Sequence, residues 1–276
     1  MSVYIFTGPT LAATEGSEVL EAVYRPPAAQ GDVYRAALRR PQAIGVIDGY
    51  FDCVPSVWHK EILWAMREGI HVFGSASMGA LRAAELAPFG MVGVGAVFEA
   101  YASGDLEDDD EVAVAHGPAE VHYRPLSVAL VNIRATLAAA EAQAILSAAT
   151  RAALLHMAKD LFYPERSYLR LLAEGMAAGL PPAELAALRA WLPQGHVDQK
   201  RLDALAMLRA IRRQLEADGQ PKQVRYHFEA TVFWERACHS ATINREEVEH
   251  GRETENDTAE VHRQAQGGPR DPHARA

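Results

Sequence analysis

The strongest constraint on the fold is an alternation. Near-continuous apolar runs at 3–6, 43–47 and 70–73 are separated by stretches with helical spacing. Runs of Val, Ile and Phe without polar interruption suit strands buried on both faces, which parallel strands joined by crossover helices provide. The first run ends in Thr7-Gly8-Pro9-Thr10, the second in Asp48-Gly49 and the third in Gly74-Ser75-Ala76-Ser77. A parallel sheet aligns its C-terminal strand ends along the edge where such folds bind ligands, so these segments are predicted to share one rim. Helices are predicted at 17–22, 55–68 and 78–86, with Pro55 pre-set for a first turn and Gly69 closing the second of them, and a further strand is predicted at 91–94. The fold class that follows is α/β: a parallel Rossmann-like sheet with helices on both faces, then a mainly helical C-terminal region.

Beyond about residue 125 the sequence turns to Ala, Leu and Arg. Leu126, Leu130, Ile133 and Leu137 form one apolar stripe, and Leu202, Leu205, Leu208, Ile211 and Leu215 another. A last strand is predicted at 224–227. Residues 244–276 hold too little apolar surface to offset the entropy of ordering them. The expected organisation is an α/β core at 1–124, a helical region packed on it at 125–243, and a disordered tail at 244–276. A 49% hydrophobic composition suffices for such a core, and a net charge of −9 without a basic cluster argues against nucleic acid or an anionic membrane as partner. The chain opens without a basic leader and contains no run of about 18 apolar residues, which points to the cytoplasm. Cys53 and Cys238 form no metal or disulfide pattern, and no metal site is predicted.

The turn from Gly74 to Arg82 carries the chemistry. Gly74 and Gly79 have P-loop spacing, but Ala80 and Leu81 stand where a phosphate-binding lysine and a metal-binding hydroxyl belong, which excludes nucleotide hydrolysis of that type. Ser75-Ala76-Ser77-Met78-Gly79 instead has the form of a nucleophile elbow with serine in place of the first glycine. Ser77, and after it Ser75, are candidate nucleophiles. Either could equally be a helix cap. Amides around Met78 and Gly79 are candidate oxyanion donors.

His59 lies on the helix after Asp48 and shares a face with Ile62, Leu63 and Met66. It reads either as a general base for the serine or as a hydrogen-bonded core histidine with Lys60 and Glu61 solvated beside it. Asp48 would orient His59 or Lys60, or would bond nearby backbone as Asp-Gly turns do. Arg82 would hold a carboxylate-bearing ligand or pair with Glu85. Thr7, Gly8, Gly74, Ser75, Met78, Gly79 and Arg82 complete the predicted substrate-binding set.

Asp108-Asp109-Asp110-Glu111 is discounted as a metal cluster, because a linear run of carboxylates does not converge on a cation and is usually solvated. Were the apolar residues after it a parallel strand, the acids would fall at the opposite edge and His116 would reach the active rim. Residues 90–95 lack the last glycine of a dinucleotide fingerprint and read as tight backbone packing.

Several long words now line up in order: Asp48-Gly49-Tyr50-Phe51 with Val54-Pro55; Val57-Trp58-His59-Lys60-Glu61-Ile62-Leu63; Ala76-Ser77-Met78-Gly79-Ala80-Leu81-Arg82-Ala83-Ala84-Glu85-Leu86; Asp108-Asp109-Asp110-Glu111-Val112-Ala113-Val114. With Phe89-Gly90-Met91 and Val131-Asn132-Ile133-Arg134, they resemble the TfuA core domain over residues 44–134. The resemblance implies a partner for YcaO enzymes in installing thioamides on a precursor peptide or target protein. YcaO would activate a backbone amide with ATP and Mg²⁺, so this chain needs no cofactor of its own. Its part would be to release or deliver sulfide from a sulfur-carrier protein with a thiocarboxylate terminus, using Ser77 with His59, Lys60 and Asp48. The alternatives are a non-catalytic adaptor that docks YcaO and its peptide, and an unrelated serine hydrolase.

Overall fold

The computed structural model describes residues 2–239 except 53 and 218. Residues 1–228 make one compact unit, and 229–276 fall in a second. The predicted tail at 244–276 and Cys53 lie outside the described residues.

Five parallel strands form the sheet in the order β2-β1-β3-β4-β5: β1 Val3–Phe6, β2 Val23–Arg25, β3 Ala43–Val46, β4 His71–Ser75 and β5 Val92–Val94. This is the α/β, Rossmann-like arrangement that the apolar runs predict. Phe6 pairs with Val46, which brings the ends of β1 and β3 level. With this order the chain reverses direction across the sheet between β1 and β3, and the crevice at that switch point is where doubly wound folds hold ligands.

Two helical layers cover the sheet. On one face, α2 (Asp32–Ala37), α3 (His59–Arg67) and α4 (Met78–Leu86) pack Val33, Ala36, Ile62, Ala65, Met66 and Ala83 against Ile44, Val46 and Val72. On the other, the long α10 (Gln199–Ala217) lays Ala204, Leu205, Met207, Leu208 and Ile211 over Val3, Ile5, Ala43, Ile47 and Phe73. Each large aliphatic side chain buried there is worth about 1.5–3 kcal/mol. The face also includes Leu11 and Leu20, which flank α1 (Ala13–Val19). Between β5 and α10 come α5 (Ala96–Ser103), α6 (Leu130–Ala142), α7 (Ala148–Asp160), α8 (Tyr168–Ala177) and α9 (Pro182–Gly195). Leu130, Ile133, Leu137, Leu154, Leu171, Leu185 and Leu188 give α6 to α9 a core of their own.

Several expectations shift. The first helix spans Ala13–Val19 rather than 17–22. The helix expected from Pro55 starts at His59, because Ser56 is held in a bridge to Ala29. No strand forms at 112–115, where the chain is irregular up to the single bridge between His116 and Pro125, nor at 224–227. The glycines at 93 and 95 do mark close packing: an added Cβ would lie 2.1 Å from the Phe98 ring and 2.3 Å from the Asp203 carboxyl carbon. Glu61 is buried, and accepts from the amides of Trp58, Gly31 and Tyr34, so one carboxylate serves the starts of both α2 and α3.

Candidate functional site

Asp48 follows β3 at the switch point and is buried. Its Oδ2 accepts from the amides of Gly8 (2.8 Å) and Thr10 (3.0 Å), and its Oδ1 from the Thr10 hydroxyl (2.6 Å). The carboxylate thereby ties the loop after β1 to the end of β3. Thr7 donates to the carbonyl of Leu11 and stiffens the same loop. These bonds realise the backbone-bonding reading of Asp48, whose hydrogen-bond partners among the described residues are Gly8 and Thr10 rather than His59 or Lys60.

The serine turn is tight. Ala76 is buried in the left-handed region at φ +65°, a strained conformation for a residue with a Cβ. The Ser77 amide donates to the Ser75 carbonyl at 2.7 Å. Ser75 gives its hydroxyl to the Val94 carbonyl (2.8 Å), so it fastens β4 to β5. Ser77 differs. Although only 3% exposed, it lines a cleft of about 290 Å³, and its hydroxyl makes no hydrogen bond among the described residues. Asp48, Tyr50, Asp52, Ala113, His116 and Tyr163 also line this cleft.

The glycines of the turn serve packing. The Gly79 amide donates to the Ile47 carbonyl, and a Cβ on Gly79 would lie 1.8 Å from the Val46 oxygen. At Gly74 a Cβ would meet the Gly79 oxygen at 2.1 Å. The close approach of α4 to β3 and β4 therefore requires both, and the Gly79 amide is committed to the sheet rather than offered as an oxyanion donor. Met78 is buried under Gly49.

His59 does not line the Ser77 cleft. Its Nε2 lies 2.7 Å from Oε2 of Glu85, to which Arg82 also donates at 2.8 Å. Burial works to raise the Glu85 carboxyl; the bond to His59 and the charge of Arg82 outweigh it and hold the group low. Arg82 further donates to the Val57 carbonyl (3.0 Å), which clamps the segment before α3 onto α4. Lys60 stands over the ring of Phe228. The structure thus brings Asp48 and Ser77 to one cleft, and gives His59 and Arg82 other partners, because α3 begins later than Pro55 and presents its first turn to α4.

Two groups at this edge stand outside the catalytic set read from the sequence, although His116 was expected at the rim. His116 has Nδ1 2.8 Å from the Gly117 carbonyl; a carbonyl only accepts, so Nδ1 carries the proton and Nε2 of the neutral ring is an acceptor. Its ring lies between those of Tyr50 (6.2 Å) and Tyr123 (5.8 Å). Lys200, in the first turn of α10, is 3% exposed, and its ammonium donates to the Val112 carbonyl at 2.7 Å. Burial pushes it below the usual lysine range, opposed by the fields of Asp48 and Asp198. Its signal was legible: Lys200 continues the buried stripe of Ala204, Met207, Leu208 and Ile211 at helical spacing.

Within the acidic run, Asp108, Asp110 and Glu111 are ion-paired, while Asp109 is exposed. Lys159 reaches Asp108, Asp110 and Glu111; Arg134 binds Glu111 through two nitrogens; Arg166 bonds Asp110. Burial works to raise the Asp110 carboxyl, but Arg166 and Lys159 hold it below the ordinary carboxylate range. A depressed carboxyl contributes stability above its unfolded pKa of about 3.9 and loses it as the pH falls through the folded value. Urea titrations should accordingly show Asp110→Asn less stable than the parent at pH 6, with the gap closing below about pH 4. A gap that is constant with pH would mean that the carboxylate charge contributes nothing.

The motif words at 48–51, 57–63, 76–86 and 108–114 supply residues of the cleft, the clamp and the ion-paired run. Residues 48–167 match the family model described as TfuA-like protein. These residues form a TfuA-like domain. The match extends beyond the resemblance at 44–134 to take in α6, α7 and Arg166, and leaves outside it the β1 loop and α10 with Lys200. The TfuA-like assignment associates the chain, at a general level, with thioamide biosynthesis. No curated protein matches the chain. Among the described residues no helix is long and apolar enough to cross a membrane, and no group of three His, Cys, Asp or Glu is arranged to hold a metal ion.

Proposed function

We propose that this TfuA-like chain supports backbone thioamidation by releasing sulfide from the thiocarboxylate terminus of a sulfur-carrier protein, with Ser77 as nucleophile. The observation that carries the reading is Ser77, 3% exposed as a residue, whose hydroxyl has no hydrogen-bond partner among the described residues and which shares its cleft with His116. In this scheme the Ser77 oxygen attacks the thiocarboxyl carbon while Nε2 of His116 takes its proton. His116 passes that proton to the sulfur as the tetrahedral adduct collapses, so the carbon–sulfur bond breaks and hydrosulfide leaves with an ester formed on Ser77. Water then adds to the ester with His116 again taking a proton, which passes to the Ser77 oxygen as the ester bond breaks; the carrier departs as its carboxylate and its acid proton goes to solvent. His116 replaces His59 as the base because the latter is engaged by Glu85. A YcaO partner would hold ATP and Mg²⁺ and consume the sulfide.

Sulfide release from a thiocarboxylated carrier tests the scheme. Ser77→Ala should lower the rate at least 100-fold and His116→Gln about 10²–10⁴-fold, while His59→Ala stays near the parent. Parent-level release from Ser77→Ala would end the serine mechanism.

An adaptor role is favoured by a separate observation. Leu126 and Phe162 are 68% and 64% exposed and directly follow or precede the cleft residues Pro125 and Tyr163, while Leu169, 72% exposed, follows Tyr168. Exposed apolar side chains at a cleft rim suit a protein partner. Full stimulation of YcaO by Ser77→Ala when free sulfide is supplied would establish docking as a function separable from release.

A further inference from the structure

Beside the Ser77 cleft lies a second one, of about 180 Å³, and the two share Pro9 and Val114 as lining residues. Lys200 and Ser127 both line the second cleft, and both are more than nine-tenths buried. The Lys200 ammonium carries three protons and has one acceptor, the Val112 carbonyl. No carboxylate comes within ion-pair distance of it among the described residues, although Asp48 and Asp198 are near enough for their fields to act on it. Asp48 is engaged by other donors, and Asp198, which lines the same cleft as Lys200, has one of its two oxygens engaged. Asp48 is bonded by Gly8 and Thr10, and Oδ1 of Asp198 by the Asn132 side chain and the Arg201 amide. The Ser127 oxygen accepts from the Ala115 amide, which leaves its own proton to donate.

A buried ammonium without a counter-ion is costly, and a buried donor without an acceptor costs further. Here two such donors line one cleft, and an anion with two oxygens, or one oxygen and one sulfur, satisfies both at once. A bound anion also supplies the counter-charge that Asp48 and Asp198 do not. Lys200 is the one lysine or arginine among the residues lining either cleft. We propose that the Lys200 cleft is an anion site for a carboxylate or thiocarboxylate terminus, with the Lys200 ammonium as counter-ion and the Ser127 hydroxyl as second donor. The site lies outside residues 48–167 on the lysine side, so the family match does not supply it. That the natural occupant is the carrier's thiocarboxylate rests on the function proposed above; the anion site itself does not.

The probes are acetate and thioacetate, titrated into the full chain labelled at lysine Nζ and Cε. There are four lysines, at 60, 159, 200 and 222, so the Lys200 signal is assigned by single substitutions. Both anions should move the Lys200 resonance saturably, and Lys200→Met should weaken their binding at least tenfold. An unmoved Lys200 signal, or equal binding by Lys200→Met, would overturn the site; the first readout uses the parent protein and does not depend on the variant folding. A shifted Lys200 signal without sulfide release from a thiocarboxylated carrier refutes the proposed reaction and leaves the anion site standing. Sulfide release with no response at Lys200 refutes the anion site alone.

Discussion

Gly79→Ala should leave little folded protein. The new Cβ would stand 1.8 Å from the Val46 oxygen and 2.6 Å from its carbonyl carbon, both backbone atoms inside the sheet that cannot swing aside. Relief requires α4 to lift from β3, which breaks the bond from the Gly79 amide to Ile47 and unpacks Met78 from Gly49. Overpacking in a tolerant core costs about 1–3 kcal/mol, and this site has no tolerance, so a loss of at least about 3 kcal/mol is expected. Against a total stability of about 5–15 kcal/mol, that should appear as a sharp fall in the urea midpoint and in recovered protein. Gly104→Ala is the control: unlike Gly79 it has positive φ, and nothing lies within 4 Å of its Cβ, so its cost is conformational strain alone. Equal losses at the two positions would show that the close approach of α4 is not the cause.

Arg166→Met should be nearly as severe for a different reason. The guanidinium is 1% exposed and donates to the carbonyls of Ala158 (3.0 Å) and Asp110 (2.7 Å), and to the Asp110 carboxylate at 2.5 Å. It joins the end of α7 to the acidic segment that precedes α6. Methionine fills much of the volume but leaves these acceptors without their donor. Leaving the two backbone acceptors unsatisfied costs about 1–3 kcal/mol each, while the 36%-exposed Asp110 carboxylate keeps Lys159 as a partner, so a drop in Tm of at least roughly 4 °C is expected. Arg166→Lys should recover little, since one ammonium cannot span all three acceptors. The double variant Arg166→Met with Asp110→Asn should be more stable than the single losses sum to, because the bond between the two side chains is lost only once. Strict additivity in that cycle would mean that the pair is not coupled.

Much of the sheet was legible in the sequence. Runs at 3–6, 43–47 and 70–73 are apolar because their strands are covered on both faces, and β3 is buried at every position. The missed strand, β2, is three residues long, and its two ends are exposed, so it carries no periodic signal. At the site, sequence could mark strand ends but not partners. Glu61 reads as a solvated helix carboxylate, yet the starts of two helices close over it. His59 and Ser77 share the active edge in chain logic, and a delay of four residues in the start of α3 is enough to hand the imidazole to Glu85. Lys200 shows the converse case. Its place on the buried stripe of α10 marks it as an enclosed lysine, but only the fold shows that α10 carries it to Val112.

That return of α10 has a consequence for how the chain is made. All five strands have been synthesised by Val94, but the sheet face of Val3, Ile5, Ala43 and Phe73 gains its α10 cover only when residues 204–211 emerge. More than a hundred residues of ribosomal transit separate those two moments. A message truncated before α10 would yield a polypeptide with a naked hydrophobic sheet, prone to self-association, and nascent chains must pass through that same vulnerable stage during every round of translation.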